Sequence, residues 1–564
     1  MTTSALPPFV PPSPGAWELE RTHFTRPISR FATAVFPAAM KRGFGDATRA
    51  YGALLDYIEL AVVNGVVYSA ARPVGAPKGA KGHPPRPVFW LLQRLHPEIR
   101  RRIKRADEVF AQRFWREELR WWDSEVKPML ASEARALLAE DLLALSDHEL
   151  SSHVQRAAEF AGKTIFYHHR LNCCAILPIG DFIAHAVRWT GESPERVLLA
   201  LRGLSPLSAG ASAELDTLRV AIAADPEATS ILKSGRSAAL VLDEIAVRAS
   251  VAAPLRAYLD TVGWRVLGGY DVSERHARDY PELLVKIISA AVANYQATAT
   301  KDAGAAVVAL RATVPSEHQA GFDALLEEAR LVYRVRDERN FCSDALGTGI
   351  ARRVILEAGR RLSAQGLARD PGHLVDATPE EISALLEGRG GPSADELASR
   401  VHFRETTSLD SVPQLLGVPP SPPPPADWLP TSAARLQRAI DMTLGLMFNT
   451  PVKQEGQGRQ LKGFGVSPGV FEGPARVILD VSELATVLEG EVLVTPSTGP
   501  TFNVVLPLLK GLVTERGGAL SHAAIVAREY GIPGVVGCRD AASRIKTGMR
   551  IGVDGAKGEV WIIE

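Results

Sequence analysis

The chain has 564 residues, of which 46% are hydrophobic and 23% charged. Such values exclude a disordered or fibrous protein and predict two or more compact domains. The 64 Lys and Arg balance 64 Asp and Glu, and the sequence pI near 7.2 gives no overall pull toward nucleic acid or anionic lipid, so neither is an expected partner.

The first 16 residues have neither the basic start nor the apolar segment of a secretion signal, and they read as a flexible arm. Residues 17–410 are rich in Leu, Ala, Arg and Glu, with apolar positions three and four apart, which predicts a large, mostly helical N-terminal domain. The apolar stretch from Ile58 to Ala71 carries Glu59 and Asn64 and falls short of the roughly 18 apolar residues of a membrane helix. No membrane span is expected. Trp115, Trp121 and Trp122, at near-helical spacing, read as packing residues. Helix starts are written at Ser146 with Glu149, Thr378 with Pro379 and Glu381, and Ser393 with Glu396, each a capping hydroxyl three residues before a Glu. Gly366 and Gly388 supply stops.

The cysteines, Cys173, Cys174, Cys342 and Cys538, form neither a CxxC pair nor a cluster with His, which predicts reduced thiols and a cytoplasmic location. His168, His169, Asp181 and His185 flank a Pro-Gly break and read as satisfied structural side chains; no HExxH-like spacing points to a metal site. The run Arg336, Asp337, Glu338, Arg339 suits either a polar substrate or a self-paired, solvated helix face, and by itself favours the second.

Residues 411–462 predict a Pro/Gly-rich linker: prolines crowd Val412 to Pro430, a short helix runs from Ser432 to Phe448, and a Gly/Gln-rich connection follows. After Gly463 the texture changes to short β-branched runs between glycines: Arg476 to Leu479, Glu491 to Val494, Gly511 to Thr514, Gly534 to Val536, Met549 to Val553 and Val560 to Ile563. Residues 463–564 are therefore a small α/β domain, with a helix from Ser521 to Tyr530 ending at Gly531.

The chemistry concentrates between Gly511 and Gly537, GLVTERGGALSHAAIVAREYGIPGVVG. His522 opens a helix, where free backbone N–H groups and the positive end of the dipole favour a phosphoryl dianion and disfavour imidazolium. A neutral ring nitrogen is then able to attack phosphorus. Gly517 and Gly518 allow close approach of a nucleotide to the backbone, Ser521 offers a hydroxyl, and Arg516 and Arg528 offer charge-assisted contacts to phosphate. Glu515 reads equally as an orienting partner of the imidazole or as a solvent-facing carboxylate.

The pattern GG-x-x-SH-A-A-I-V-A-R-E-x-G-I-P-x-V-V-G, with LKGFGVSPGVFEGPARVI before it and GMRIGVDGAKGEVWI after it, resembles the phosphoenolpyruvate-utilising enzyme mobile domain, a swivelling phosphohistidine carrier. The segment TPSTGPTFNVVLP, from Thr495 to Pro507, departs from that family. Arg334 to Gly366 and WELERTHFTRP near the start resemble the substrate-binding helical domain of rifampin phosphotransferase and phosphoenolpyruvate synthase-like dikinases. The resemblance implies that His522 is phosphorylated and that Arg336, Asp337, Glu338, Arg339, Asn340, His23 and Arg26 face the acceptor. It also implies a reaction of ATP, water and acceptor giving AMP, phosphate and a phosphorylated acceptor. Residues 1–400 lack the texture of a phosphate-donor domain, so the expectation is a split system. A separate ATP-grasp protein holds ATP and Mg2+, and the carrier domain moves to the helical domain, where a small-molecule hydroxyl is phosphorylated. The alternatives are a phosphocarrier that regulates a partner without acceptor chemistry of its own, and a degenerate scaffold.

Overall fold

The computed structural model describes residues 8–563 apart from 22, 81, 205–212, 268, 294–302, 340–344, 449–457, 500, 501 and 504. The chain divides into two units. The first joins Met1–Cys174, Gly269–Arg275 and Arg339–Gln437; the second joins Ala175–Gly268, His276–Glu338 and Arg438–Glu564. The N-terminal region is mostly helical, as its periodicity requires, and the sheet of the C-terminal region carries the small α/β domain.

The first unit also holds a sheet that the helical texture conceals. Strands β1 (Ala16–Leu19), β2 (Leu55–Val63), β3 (Val66–Pro73) and β4 (Leu415–Gly417) lie in the antiparallel order β2-β3-β1-β4. The apolar stretch around Ile58 is the β2–β3 hairpin, which turns on Asn64 and Gly65 with φ of 50° and 75°. Positive φ at both central residues is what the favoured two-residue hairpin turn needs, and Asn-Gly supplies it. β4 lies inside the Pro-rich stretch and pairs with β1 at the edge of the sheet, where prolines leave few ladder hydrogen bonds unmade. The helix Arg30–Tyr51 begins at the Ser29 cap and ends at Gly52 in the left-handed region. It crosses the helix Asp147–Arg170 closely: a Cβ on Gly43 would stand 2.3 Å from the Phe166 carbonyl oxygen. Ser146 and Glu149 close a capping box at the start of that second helix, as do Thr378 and Glu381 at Pro379–Leu386. Trp115 and Trp122 are buried. Among the described residues, the run 147–190 has the length and apolarity of a membrane span, and 72% of its apolar window is buried inside the protein.

In the second unit, a helical core of residues such as Leu218, Val241, Leu255, Tyr258 and Ile288 accompanies an eight-stranded sheet. Its strands are β5 (Gln460–Lys462), β6 (Phe464–Ser467), β7 (Val470–Val477), β8 (Val492–Thr495), β9 (Gly511–Thr514), β10 (Gly534–Val536), β11 (Arg550–Asp554) and β12 (Glu559–Ile562). The order is β5-β12-β11-β7-β8-β9-β10-β6, with β7, β8, β9 and β10 mutually parallel and the flanks antiparallel. β8, β9 and β10 are buried along their whole length, which is why they read as continuous apolar runs. The sheet is fastened to the helices of its own unit. Lys286 Nζ donates to the carbonyls of Ala485, at 2.9 Å, and Val487. Gly203 N donates to Glu529 at 2.7 Å. The helix Thr431–Phe448 meets Asn172–Thr190 at Gly180, where a Cβ would lie 1.9 Å from the Ala439 oxygen.

Candidate functional site

Parallel strands end side by side at one edge of the sheet, and the loops leaving them share the space beyond; sites in α/β folds form there. Thr495 of β8 lies opposite Thr514 of β9. The two exit loops are stitched by Glu515 N donating to Thr495 O at 3.1 Å and Arg516 N to Pro496 O at 3.0 Å. The loop after β9 turns at Gly517, whose φ of 115° only glycine adopts freely and whose Cβ would meet Ser521 Oγ at 2.8 Å. Ser521 then caps the helix His522–Tyr530, its Oγ accepting from Ala524 N at 3.4 Å, and Gly531 closes the other end with φ of 62°.

His522 therefore occupies the first helical position, beneath backbone N–H groups that have no intrahelical partner. Its Nδ1 lies 3.0 Å from Thr498 Oγ1, in the loop after β8. Its Nε2 is shielded from solvent and has no hydrogen-bond partner. Burial pushes the imidazole down to about 4, with Asp337 opposing the shift and Arg336 reinforcing it, so the ring is neutral at neutral pH.

The short helix Val335–Arg339 supplies those two charges. Arg336 Nη2 donates to the Leu520 carbonyl at 2.7 Å, two residues before His522, while Arg336 Nη1 is buried and unpartnered. Arg528 is 2% exposed; its Nη1 reaches Val466 O at 3.3 Å and its Nη2 has no partner. Burial raises Glu529 to about 7 against the opposing hydrogen bonds from Gly203 and Leu204.

The remaining positions singled out in the sequence lie as follows. Gly518 faces this chain's own helix, since a Cβ there would stand 2.2 Å from the Leu446 carbonyl oxygen, which also accepts from Leu520 N at 2.9 Å. Arg516 is exposed. Glu515 accepts from Ala542 N at 2.9 Å and so caps Ala541–Arg544 rather than meeting the imidazole. Glu338 pairs with Arg334 at 2.6 Å. Arg339, His23 and Arg26 belong to the first unit. There Arg339 donates to His168 O at 3.2 Å and to the Asn172 side chain, His23 Nδ1 lies 3.3 Å from Glu20, and Arg26 meets Glu274 at 2.6 Å. Asn340 lies outside the described residues. Burial holds His168 and His169 well below the usual imidazole range, and His185 meets Asp181 within its own helix at 3.2 Å. Thr498, Leu446 and Glu529 are additions that sequence reasoning did not make. Only Thr498 left a trace, as a hydroxyl inside the segment that departs from the family pattern.

Among the described residues no three His, Cys, Asp or Glu side chains gather as a ligand set. Among the described residues, the charges that act on the ring are the Asp337 carboxylate and the Arg336 guanidinium, a donor set that does not fit magnesium.

Two segments carry family signatures, and both are of phosphotransferases. Residues 487–558 match the PEP-utilising enzyme mobile domain, and residues 179–337 match the rifampicin phosphotransferase fourth domain. The uncharacterized phosphotransferase YvkC of Bacillus subtilis is 26% identical over 313 residues, covering 54% of this chain and 36% of that protein. Rifampicin phosphotransferase of Streptomyces sviceus is 28% identical over 324 residues, covering 55% and 34%. Phosphoenolpyruvate synthase of Pyrococcus furiosus is 48% identical over 101 residues, covering 18% and 12%. The chain thus spans about a third or less of the length of these relatives.

Proposed function

We propose that the protein is a dikinase-type phosphotransferase component in which His522 Nε2 accepts a phosphoryl group and passes it to a small-molecule hydroxyl. The observation that carries this reading is the division of labour on one ring: Nδ1 is engaged by Thr498, and Nε2 stands unpartnered at a helix N-terminus. With the proton on Nδ1 and donated to Thr498 Oγ1, Nε2 keeps its lone pair and is the nucleophile. Its attack forms the P–N bond as the P–O bond to AMP breaks, and water takes the terminal phosphoryl group as phosphate. In the second step the acceptor oxygen bonds phosphorus, the P–N bond breaks, and the lone pair returns to Nε2. The acceptor proton passes to Asp337, the carboxylate whose charge is felt at the ring. Positioning and charge neutralisation carry most of the acceleration in such transfers.

The donor in this reading is ATP with magnesium, bound by an ATP-grasp protein separate from residues 1–564, and the acceptor binds the helical part of the chain. The test is incubation of the full chain with a candidate ATP-grasp protein and ATP labelled in the transferred phosphate. Label on His522 is expected, and it is lost in His522→Ala while the fold survives. Equal labelling of His522→Ala refutes the assignment. Label that stays on the protein in the presence of every hydroxyl compound tried moves the reading to a phosphocarrier without acceptor chemistry.

A further inference from the structure

Three buried polar atoms in this part of the unit lack a hydrogen-bond partner: His522 Nε2 and Arg528 Nη2 on the helix His522–Tyr530, and Arg336 Nη1 on the helix Val335–Arg339. An unsatisfied buried donor costs about 1–3 kcal/mol, more when charged, so the Arg336 guanidinium, whose charge is felt at the His522 ring, calls for an acceptor in some state of the protein. The two guanidiniums also act on one another: the charge of Arg528 disfavours that of Arg336. The charge of Asp337 favours the Arg336 guanidinium, and the Glu529 carboxylate accepts from Gly203. What the cluster lacks is an anion with several acceptor oxygens.

We infer that Arg336 is a positioning residue that clamps the phosphoryl group once it is on His522, making residues 276–338 a station that holds the loaded carrier segment more tightly than the empty one. The inference rests on the carrier reading of His522. Arg336 is built for two tasks at once. Nη2 fixes the loop through Leu520 O, and Nη1 remains for a phosphoryl oxygen. Lys286 ties residues 276–338 to the sheet region independently of Arg336, so removing Arg336 leaves the unit assembled. Loading neutralises the Arg336 guanidinium and favours closure. Delivery removes the anion from beside Arg336 and favours release, which gives the cycle a direction.

The experiment uses the full chain and potassium phosphoramidate as a small phosphoryl donor. Nε2 attacks phosphorus, the P–N bond of the reagent breaks, and ammonia leaves. Loading at His522 is mapped by mass spectrometry, the reagent is removed, and loss of phosphohistidine is followed by phosphorus NMR. Arg336→Gln is expected to lose the group about tenfold faster than wild type, the factor for one hydrogen bond to a charged group. Arg336→Lys should fall between them, and the Tm of Arg336→Gln should stay near that of wild type. Equal loss rates on a chain loaded at His522 overturn the clamp and spare the carrier. Absence of label on His522 in wild type and in Arg336→Gln alike overturns both.

Discussion

Thr498→Val replaces the hydroxyl that meets His522 Nδ1 at 3.0 Å with a methyl group of similar shape, so it isolates one hydrogen bond. In wild type that bond favours the tautomer with the proton on Nδ1 and the lone pair on Nε2. In the variant a proton on Nδ1 is left without its acceptor, a loss of about 1–2 kcal/mol. As phosphorus bonds to Nε2 the ring becomes cationic, and its Nδ1 proton then lacks the acceptor that Thr498 supplies. The transition state loses that same amount, so the rate of phosphoryl loading at His522 should fall by a factor of roughly 5–30. Thr498→Ser, which keeps the hydroxyl, should stay close to wild type. Two measurements apply: the initial rate of loading, and long-range proton–nitrogen NMR of the imidazole, which reports the tautomer. A variant that loads at the wild-type rate with the tautomer unchanged would show that Thr498 does not orient the ring and would remove the account of how Nε2 is activated.

Gly518→Ala brings a methyl to within 2.2 Å of the Leu446 carbonyl oxygen, a backbone atom with no rotamer to escape by. The change should destabilise the unit by about 1–3 kcal/mol. Denaturant unfolding reads this, and an unchanged midpoint would mean that the loop and the helix Thr431–Phe448 do not pack as described. Glu529 is raised by burial from its ordinary 4.5 to about 7, so the folded protein holds a proton between those values that the unfolded chain releases. Its contribution is fully present below about 4.5 and is lost as the pH rises through 7. Glu529→Gln, which has no charge to bury, should therefore gain Tm relative to wild type on going from pH 5 to pH 8. A pH-independent difference between the two proteins counts against a buried, titrating carboxylate.

The loop that leads into His522 was legible in the sequence because its requirements are local. A positive-φ glycine at 517, a capping hydroxyl at 521, a helix of apolar residues and a left-handed stop at Gly531 all lie within fifteen residues. The strands β8 to β10 were legible for a related reason: buried parallel strands are apolar throughout, and glycines bound them. The hairpin of the first unit was equally local, written as Val-Val-Asn-Gly-Val-Val, but the surrounding helical periodicity outweighed a two-residue turn signal. The run Arg336 to Arg339 shows where local reading stops. Its four charges look alike in the sequence, yet Glu338 pairs with Arg334, Arg339 turns to His168 and Asn172 in the first unit, and Arg336 reaches the carrier loop.

What the sequence determined by itself is the backbone that presents His522 at the start of a helix, because capping, glycine conformation and strand burial act over a few neighbouring residues. Only the tertiary structure decided which ring nitrogen is free, since the hydroxyl facing Nδ1 arrives from a loop 24 residues earlier and the guanidinium at Leu520 from 184 residues earlier. Contacts at such separations follow from how strands and helices pack together, and no local spacing in the chain encodes them.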